Sequence, residues 1–112
     1  METVGVHYMV DIFNVPSAIL EDQDRLDRIC KEAITLSGLV LLKSVSQKFE
    51  PQGATGLYLL STSHLSYHTY PEYGRIYMDL FTCGNHDAAH TSIQYILDKL
   101  GATEYRLKTV FR

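Results

Sequence analysis

The chain has 112 residues, enough for one domain. Its composition, 46% hydrophobic and 21% charged with a net charge of -3, is that of an ordinary globular protein and lacks the basic footprint of a phosphate binder, so no nucleic acid is expected as a partner. No apolar run reaches the ~20 residues needed to span a bilayer, and the start of the chain has no charged-then-apolar leader, so no membrane partner is expected. Two cysteines, Cys30 and Cys83, do not make a disulfide framework, and a cytoplasmic single-domain protein is the expectation.

Val4, Val6, Tyr8, Val10 and Ile12 alternate with Gly5, His7, Met9, Asp11 and Phe13, which predicts a strand with one buried face. Asn14-Val15-Pro16 interrupts it, and Ser17 is the expected cap of a helix. Along that helix Leu26, Ile29, Cys30, Ala33 and Ile34 recur at helical spacing until Gly38. Strands are predicted over Leu39–Lys48 and Gly56–Ser61, separated by the Pro51-Gln52-Gly53 turn. Ser63–Tyr70 alternates again, with Leu65, Tyr67 and Thr69 on one side and His64, Ser66, His68 and Tyr70 on the other. The Pro71-Glu72-Tyr73-Gly74 turn leads to a strand over Arg75–Thr82. Asp87 is the expected cap of a second helix closed by Gly101, and Thr103–Phe111 is the final strand. This order predicts an α+β two-layer sandwich over residues 1–112, a largely antiparallel sheet with two helices packed on one face.

Hydroxyls and imidazoles crowd the middle of the chain, from Ser61 to His68, and Glu72 and Cys83 follow. Hydroxyl, imidazole, carboxylate and thiol are the groups that acyl and proton transfer need. The plain alternative is a strand showing polar residues to water. A metal site is not expected. His64 and His68, four apart on a strand, stand about 13 Å from each other, too far to share an ion. In the run Cys83, His86 and His90 a fourth ligand is not evident.

In order, these residues resemble the prokaryotic S-adenosylmethionine decarboxylase proenzyme family. Its pattern stands here as Ser63-His64-Leu65-Ser66-Tyr67-His68-Thr69-Tyr70-Pro71-Glu72-Tyr73-Gly74 and then Asp79-Leu80-Phe81-Thr82-Cys83-Gly84. Gly5-Val6-His7 and Phe49-Glu50-Pro51-Gln52-Gly53-Ala54-Thr55-Gly56 match in type and spacing. Beyond Gly84 only the helix-then-strand outline agrees. The resemblance implies an inactive precursor that cuts its own backbone between Thr62 and Ser63. A β chain of residues 1–62 and an α chain of 63–112 result, the latter beginning with a pyruvoyl group made from Ser63. It implies that Ser63 attacks the Thr62 carbonyl, that Thr55 donates to the oxyanion, and that His68 removes the Cα proton of residue 63. Cys83 is implied as the proton donor of decarboxylation. Phe49 is implied to stack on adenine and Glu72 to hold the ribose hydroxyls, with Tyr70 as a further aromatic ring. The implied assembly is a homodimer with sites at the subunit interface.

Three departures bear on function. Thr62 stands where the family usually has glutamate, Thr55 where it has serine, and Gln47 where histidine is frequent. Three readings therefore stand side by side at this stage. One is a decarboxylase of S-adenosylmethionine that supplies the aminopropyl donor for spermidine. Another keeps the cofactor but acts on ornithine or arginine, and the third is an unprocessed, non-catalytic regulatory homologue.

Overall fold

A computed structural model describes residues 2–112. In chain order the elements are β1 (Val6–Ile12), α1 (Ser17–Leu20), α2 (Gln23–Leu36), β2 (Leu41–Lys48), β3 (Ala54–Leu60), β4 (Ser63–Tyr70), β5 (Arg75–Thr82), α3 (His86–Lys99) and β6 (Tyr105–Phe111). A 3₁₀ turn, Pro71–Tyr73, joins β4 to β5. The six strands form one sheet in the order β2-β3-β4-β5-β1-β6, with every pairing antiparallel. This is the expected α+β architecture.

The alternation in β1 is realised strictly. Val6, Tyr8, Val10 and Ile12 are buried, and the residues between them lie on the opposite face. Val4 falls before the strand and is exposed. In β4, Leu65, Tyr67 and Thr69 are buried while His64 and His68 are exposed, as the sequence predicts. The buried strand residues meet Leu26, Ile29, Cys30, Ala33 and Ile34 of α2 and Ile93, Ile96 and Leu97 of α3 in one core. Each such aliphatic side chain contributes about 1.5–3 kcal/mol when buried, against about 1 kcal/mol for a helix cap, so packing holds these helices in place.

Both helix starts differ from the sequence expectation. Ser17 opens only the one-turn α1 and caps nothing; Asp22 caps α2 by accepting from the Arg25 N–H at 3.1 Å. At α3 the cap is Asn85, whose side chain accepts from the N–H groups of Asp87 and Ala88, and Asp87 itself lies in the first turn, where its charge suits the helix dipole. The second and third strands also shift, starting at Leu41 and Ala54.

All the long helices lie on one face of the sheet, which leaves the other face open. That open face carries His7, Met9 and Asp11 of β1, Tyr77 and Asp79 of β5, and the exposed histidines of β4. It also shows Val45, Leu57 and Leu59, each about half exposed or more. Gly56 is the tight point beneath it, because a Cβ there would stand 2.3 Å from the Tyr67 ring. Among the described residues no helix is long and apolar enough to cross a membrane.

Candidate active site

The eight residues singled out by sequence fall into two groups at opposite ends of the sheet. One group is gathered around the turn before β4. Ser63 pairs with Thr82 across the β4–β5 ladder, and the peptide just before it, from Thr62, meets Cys83. The Thr62 carbonyl oxygen accepts the Cys83 backbone N–H at 3.1 Å and lies 3.4 Å from the Cys83 thiol. Two donors therefore converge on one carbonyl, in the arrangement that stabilises an oxyanion if that carbon is attacked.

Ser63 has φ of 147°, a region that a non-glycine residue occupies at a cost on the order of 1–3 kcal/mol. The strain sits on the residue whose hydroxyl is the expected nucleophile. It is maintained because the flanking groups are fixed on both sides, by the Cys83 contacts to Thr62 and by the β4 ladder beyond.

The two cysteines separate clearly. Cys30 is buried on the inner side of α2, and burial, with a smaller contribution from the charge of Asp27, pushes its thiol up to about 12; it is inert at neutral pH. Cys83 is exposed beside Thr62 and is the accessible thiol of the chain.

The other group lines a cleft of about 330 Å³ at the far end of β3 and β4. Phe49, Thr55, His68, Tyr70 and Glu72 all contribute to its walls, together with Gln52 and Gly53. Thr55 faces His68 across the β3–β4 ladder, and Thr55 Oγ1 is 2.9 Å from His68 Nδ1. That contact fixes the ring and leaves Nε2 free. The Gln52 side-chain amide donates to Glu72 Oε2 at 2.8 Å, which leaves Oε1 open. Phe49 is 45% exposed, so its ring is available for stacking. The Tyr70 ring rests on Tyr77, centroids 5.0 Å apart.

Within one chain the two groups do not meet. Ser63 and His68 are five residues apart along β4, and at about 3.3 Å per residue this separates them by roughly 16 Å. His68 cannot reach the Cα proton of its own Ser63, and Thr55, paired with His68, is equally remote from Thr62. Within the chain, the groups that meet the Thr62 carbonyl oxygen are the N–H and the thiol of Cys83.

Between the two groups lies a cluster that sequence inspection leaves unassigned. Asp79, a lone carboxylate in the middle of β5, accepts from Ser66 through Oδ1 and stands 2.6 Å from His7 Nε2 and 3.3 Å from His64 Nε2 through Oδ2. Burial pushes the Asp79 carboxyl up, but the hydrogen bonds from Ser66, His7 and His64 outweigh it and hold it below the usual range. The carboxylate is therefore ionised at neutral pH and serves as the shared acceptor of three side chains. Among the described residues these are the groups gathered within metal-ligand distance of one another, rather than the His64/His68 or Cys83/His86/His90 sets. A charged residue inside an otherwise apolar strand was the signal available in the sequence.

Comparison with known proteins accords with this geometry. The S-adenosylmethionine decarboxylase family pattern matches residues 6–112, past Gly84 and through the final strand. The S-adenosylmethionine decarboxylase proenzyme of Thermoplasma acidophilum is 36% identical over 109 residues, covering 97% of this chain and 83% of that protein. The corresponding proenzyme of a Synechococcus species is 37% identical, over 97% and 85% of the two chains. The crystal structure of the adenosylmethionine decarboxylase from Aquifex aeolicus superposes with a TM-score of 0.92 at 29% identity, covering all of this chain and 92% of the other. With the whole sheet, both long helices and the Thr62–Ser63 turn inside the matched span, this chain belongs to the S-adenosylmethionine decarboxylase family.

Proposed function

We propose that this protein is a self-cleaving, pyruvoyl-dependent decarboxylase of S-adenosylmethionine, working as a homodimer whose two sites each draw on both copies. The observation that carries the reading is the Thr62–Ser63 peptide: its carbonyl is held by Cys83 while its serine is in a strained conformation.

Cleavage begins as Ser63 Oγ adds to the Thr62 carbonyl carbon, with the oxyanion facing the Cys83 N–H. Collapse breaks the C–N bond, the nitrogen takes the hydroxyl's proton, and the amide becomes an ester. A base then removes the Cα proton of residue 63, and the Thr62 carboxylate leaves as the Cα–Cβ double bond forms. Tautomerisation and hydrolysis by water release ammonia and leave the pyruvoyl group at the start of the 63–112 chain. The strain at Ser63 favours this sequence, since it is present in the precursor and relieved when the backbone opens.

The base comes from a second copy. The sheet's open face needs cover, and Val45, Leu57 and Leu59 give it an apolar patch suited to a like surface. Two such sheets pack about 10 Å apart. A two-fold axis lying between them and crossing the strands at the level of Leu65 and Ser66 sets each Ser63 opposite the partner copy's His68. In the tautomer whose Nδ1–H donates to Thr55, His68 Nε2 is an unprotonated base facing across the interface. The same operation would carry Phe49, Glu72, Tyr70 and Thr55 toward the other copy's Ser63 and Cys83, where the Thr55 hydroxyl could donate to the oxyanion.

A pyruvoyl carbonyl supplies the electron sink for loss of carbon dioxide from an α-amino acid. The chain's residues fit such a group: an exposed Cys83 thiol stands beside the position where it forms and can deliver the proton that replaces the lost carboxylate. Phe49 offers a ring to adenine and to the sulfonium charge, an attraction worth about 0.5–2 kcal/mol. Glu72 Oε1, left open by the Gln52 contact, accepts from a ribose hydroxyl. The product serves as aminopropyl donor in spermidine synthesis.

The first step is tested by denaturing mass spectrometry of the purified protein. Two fragments, residues 1–62 and a pyruvoyl-capped 63–112, are expected; a single intact chain after prolonged incubation would remove self-cleavage from the account.

A further inference from the structure

Thr82 ends β5 with no exposed surface, and its hydroxyl makes two contacts at the cleavage turn. It donates to Thr62 Oγ1 at 3.3 Å and accepts the Gly84 N–H at 3.0 Å. It therefore joins the residue whose carbonyl is to be attacked to the turn that presents the Cys83 N–H to that carbonyl. The other side of Thr62 is equally confined, because a Cβ on Gly84 would lie 2.9 Å from Thr62 Cγ2. Carbonyl, hydroxyl and methyl of Thr62 are all held by one tripeptide, Thr82-Cys83-Gly84.

We propose that Thr82 is a positioning residue for self-cleavage, and that Thr62 is its counterpart on the scissile peptide. Rotation of the Thr62–Ser63 peptide would turn its carbonyl away from the Cys83 N–H and move the carbonyl carbon off the line of attack. The Thr82 hydroxyl resists that rotation through the Thr62 side chain and keeps the donor turn in register through Gly84. A β-branched hydroxyl residue at position 62 is suited to this clamp: its oxygen meets Thr82 while its methyl fills the space left by a glycine without a side chain. The departure at Thr62 thus replaces a carboxylate with an anchor that needs no counter-charge. This inference rests on the cleavage reading and adds to it the residues that set its rate.

The test follows cleavage over time by mass spectrometry after cell-free synthesis, comparing wild type with Thr82→Val, Thr82→Ser and Thr62→Val. Misplacement of a reacting group by even 1 Å costs up to about 100-fold, so Thr82→Val and Thr62→Val are expected to slow cleavage by roughly 10- to 100-fold. Thr82→Ser restores the hydroxyl and is expected to cleave at close to the wild-type rate. Because the two threonines act through one contact, the Thr62→Val/Thr82→Val double variant is expected to be little slower than either single one. Cleavage of Thr82→Val at the wild-type rate would overturn the proposal. So would cleavage of Thr62→Val at that rate, and this second variant decides the matter if Thr82→Val does not fold. A wild-type chain that never cuts would instead overturn the cleavage reading itself.

Discussion

Co-expression of Ser63→Ala and His68→Ala chains will produce cleaved protein although neither variant cleaves when expressed alone. In a mixed dimer the His68→Ala chain keeps its own Ser63 and faces the intact His68 of the Ser63→Ala chain, so one of the two sites is complete. With random pairing about half of the His68→Ala chains should be cut, and none of the Ser63→Ala chains. On its own, His68→Ala should stop at the ester, joined through Oγ of residue 63 and open to hydroxylamine. The expectation follows from the separation of roughly 16 Å along β4, which no rotamer of His68 can span. Mass spectrometry of differentially tagged chains reads the result directly. Absence of fragments from the mixed sample would mean that the base is not supplied across the interface.

Cys83→Ala should cut normally or nearly so, yet lose most of its turnover. The Cys83 N–H that faces the Thr62 carbonyl is a backbone group and survives the substitution; only the weaker thiol contact at 3.4 Å is lost. The proton needed after carbon dioxide leaves is a different matter. General acid catalysis is worth about 10²–10⁴-fold, and a decrease of that order in kcat is expected with fragment formation preserved. Cys30 cannot substitute, since it is buried behind the sheet with its thiol pushed up to about 12. Unchanged kcat in Cys83→Ala would take the proton-donor role from this residue. A split between intact cleavage and lost turnover would separate the two roles proposed for this residue, one through its backbone and one through its side chain.

The strands were readable because period-2 alternation reports burial directly. β1 and β4 place every residue from Val6 to Ile12 and from His64 to Tyr70 on the predicted face. Helix starts were less readable because several capping residues compete within a few positions. Ser17 and Asp22 lie before the same apolar stripe, as Asn85 and Asp87 do before the next, and only the path of the backbone decides which side chain reaches a free N–H.

The candidate site residues stood out in the sequence as a motif, but their distribution over the sheet did not. The rise per residue that keeps His64 from sharing an ion with His68 also keeps Ser63 from His68 within one chain. The Asp79 cluster was hidden for another reason. It unites positions 7, 64 and 79 through the β1–β5–β4 pairing, and adjacency of strands distant in sequence cannot be read from periodicity. The Cys83 contact to Thr62 was likewise invisible, because it depends on a backbone donor at the end of β5.

The most direct test of the account is release of carbon dioxide by the cleaved protein from carboxyl-labelled S-adenosylmethionine, ornithine and arginine assayed in parallel. The open cleft with Phe49, Tyr70 and Glu72 predicts turnover of S-adenosylmethionine and none of the two basic amino acids, which offer no adenine to stack and no ribose to hold. Release from ornithine or arginine in preference to S-adenosylmethionine, or from none of the three by fully cleaved protein, would contradict it.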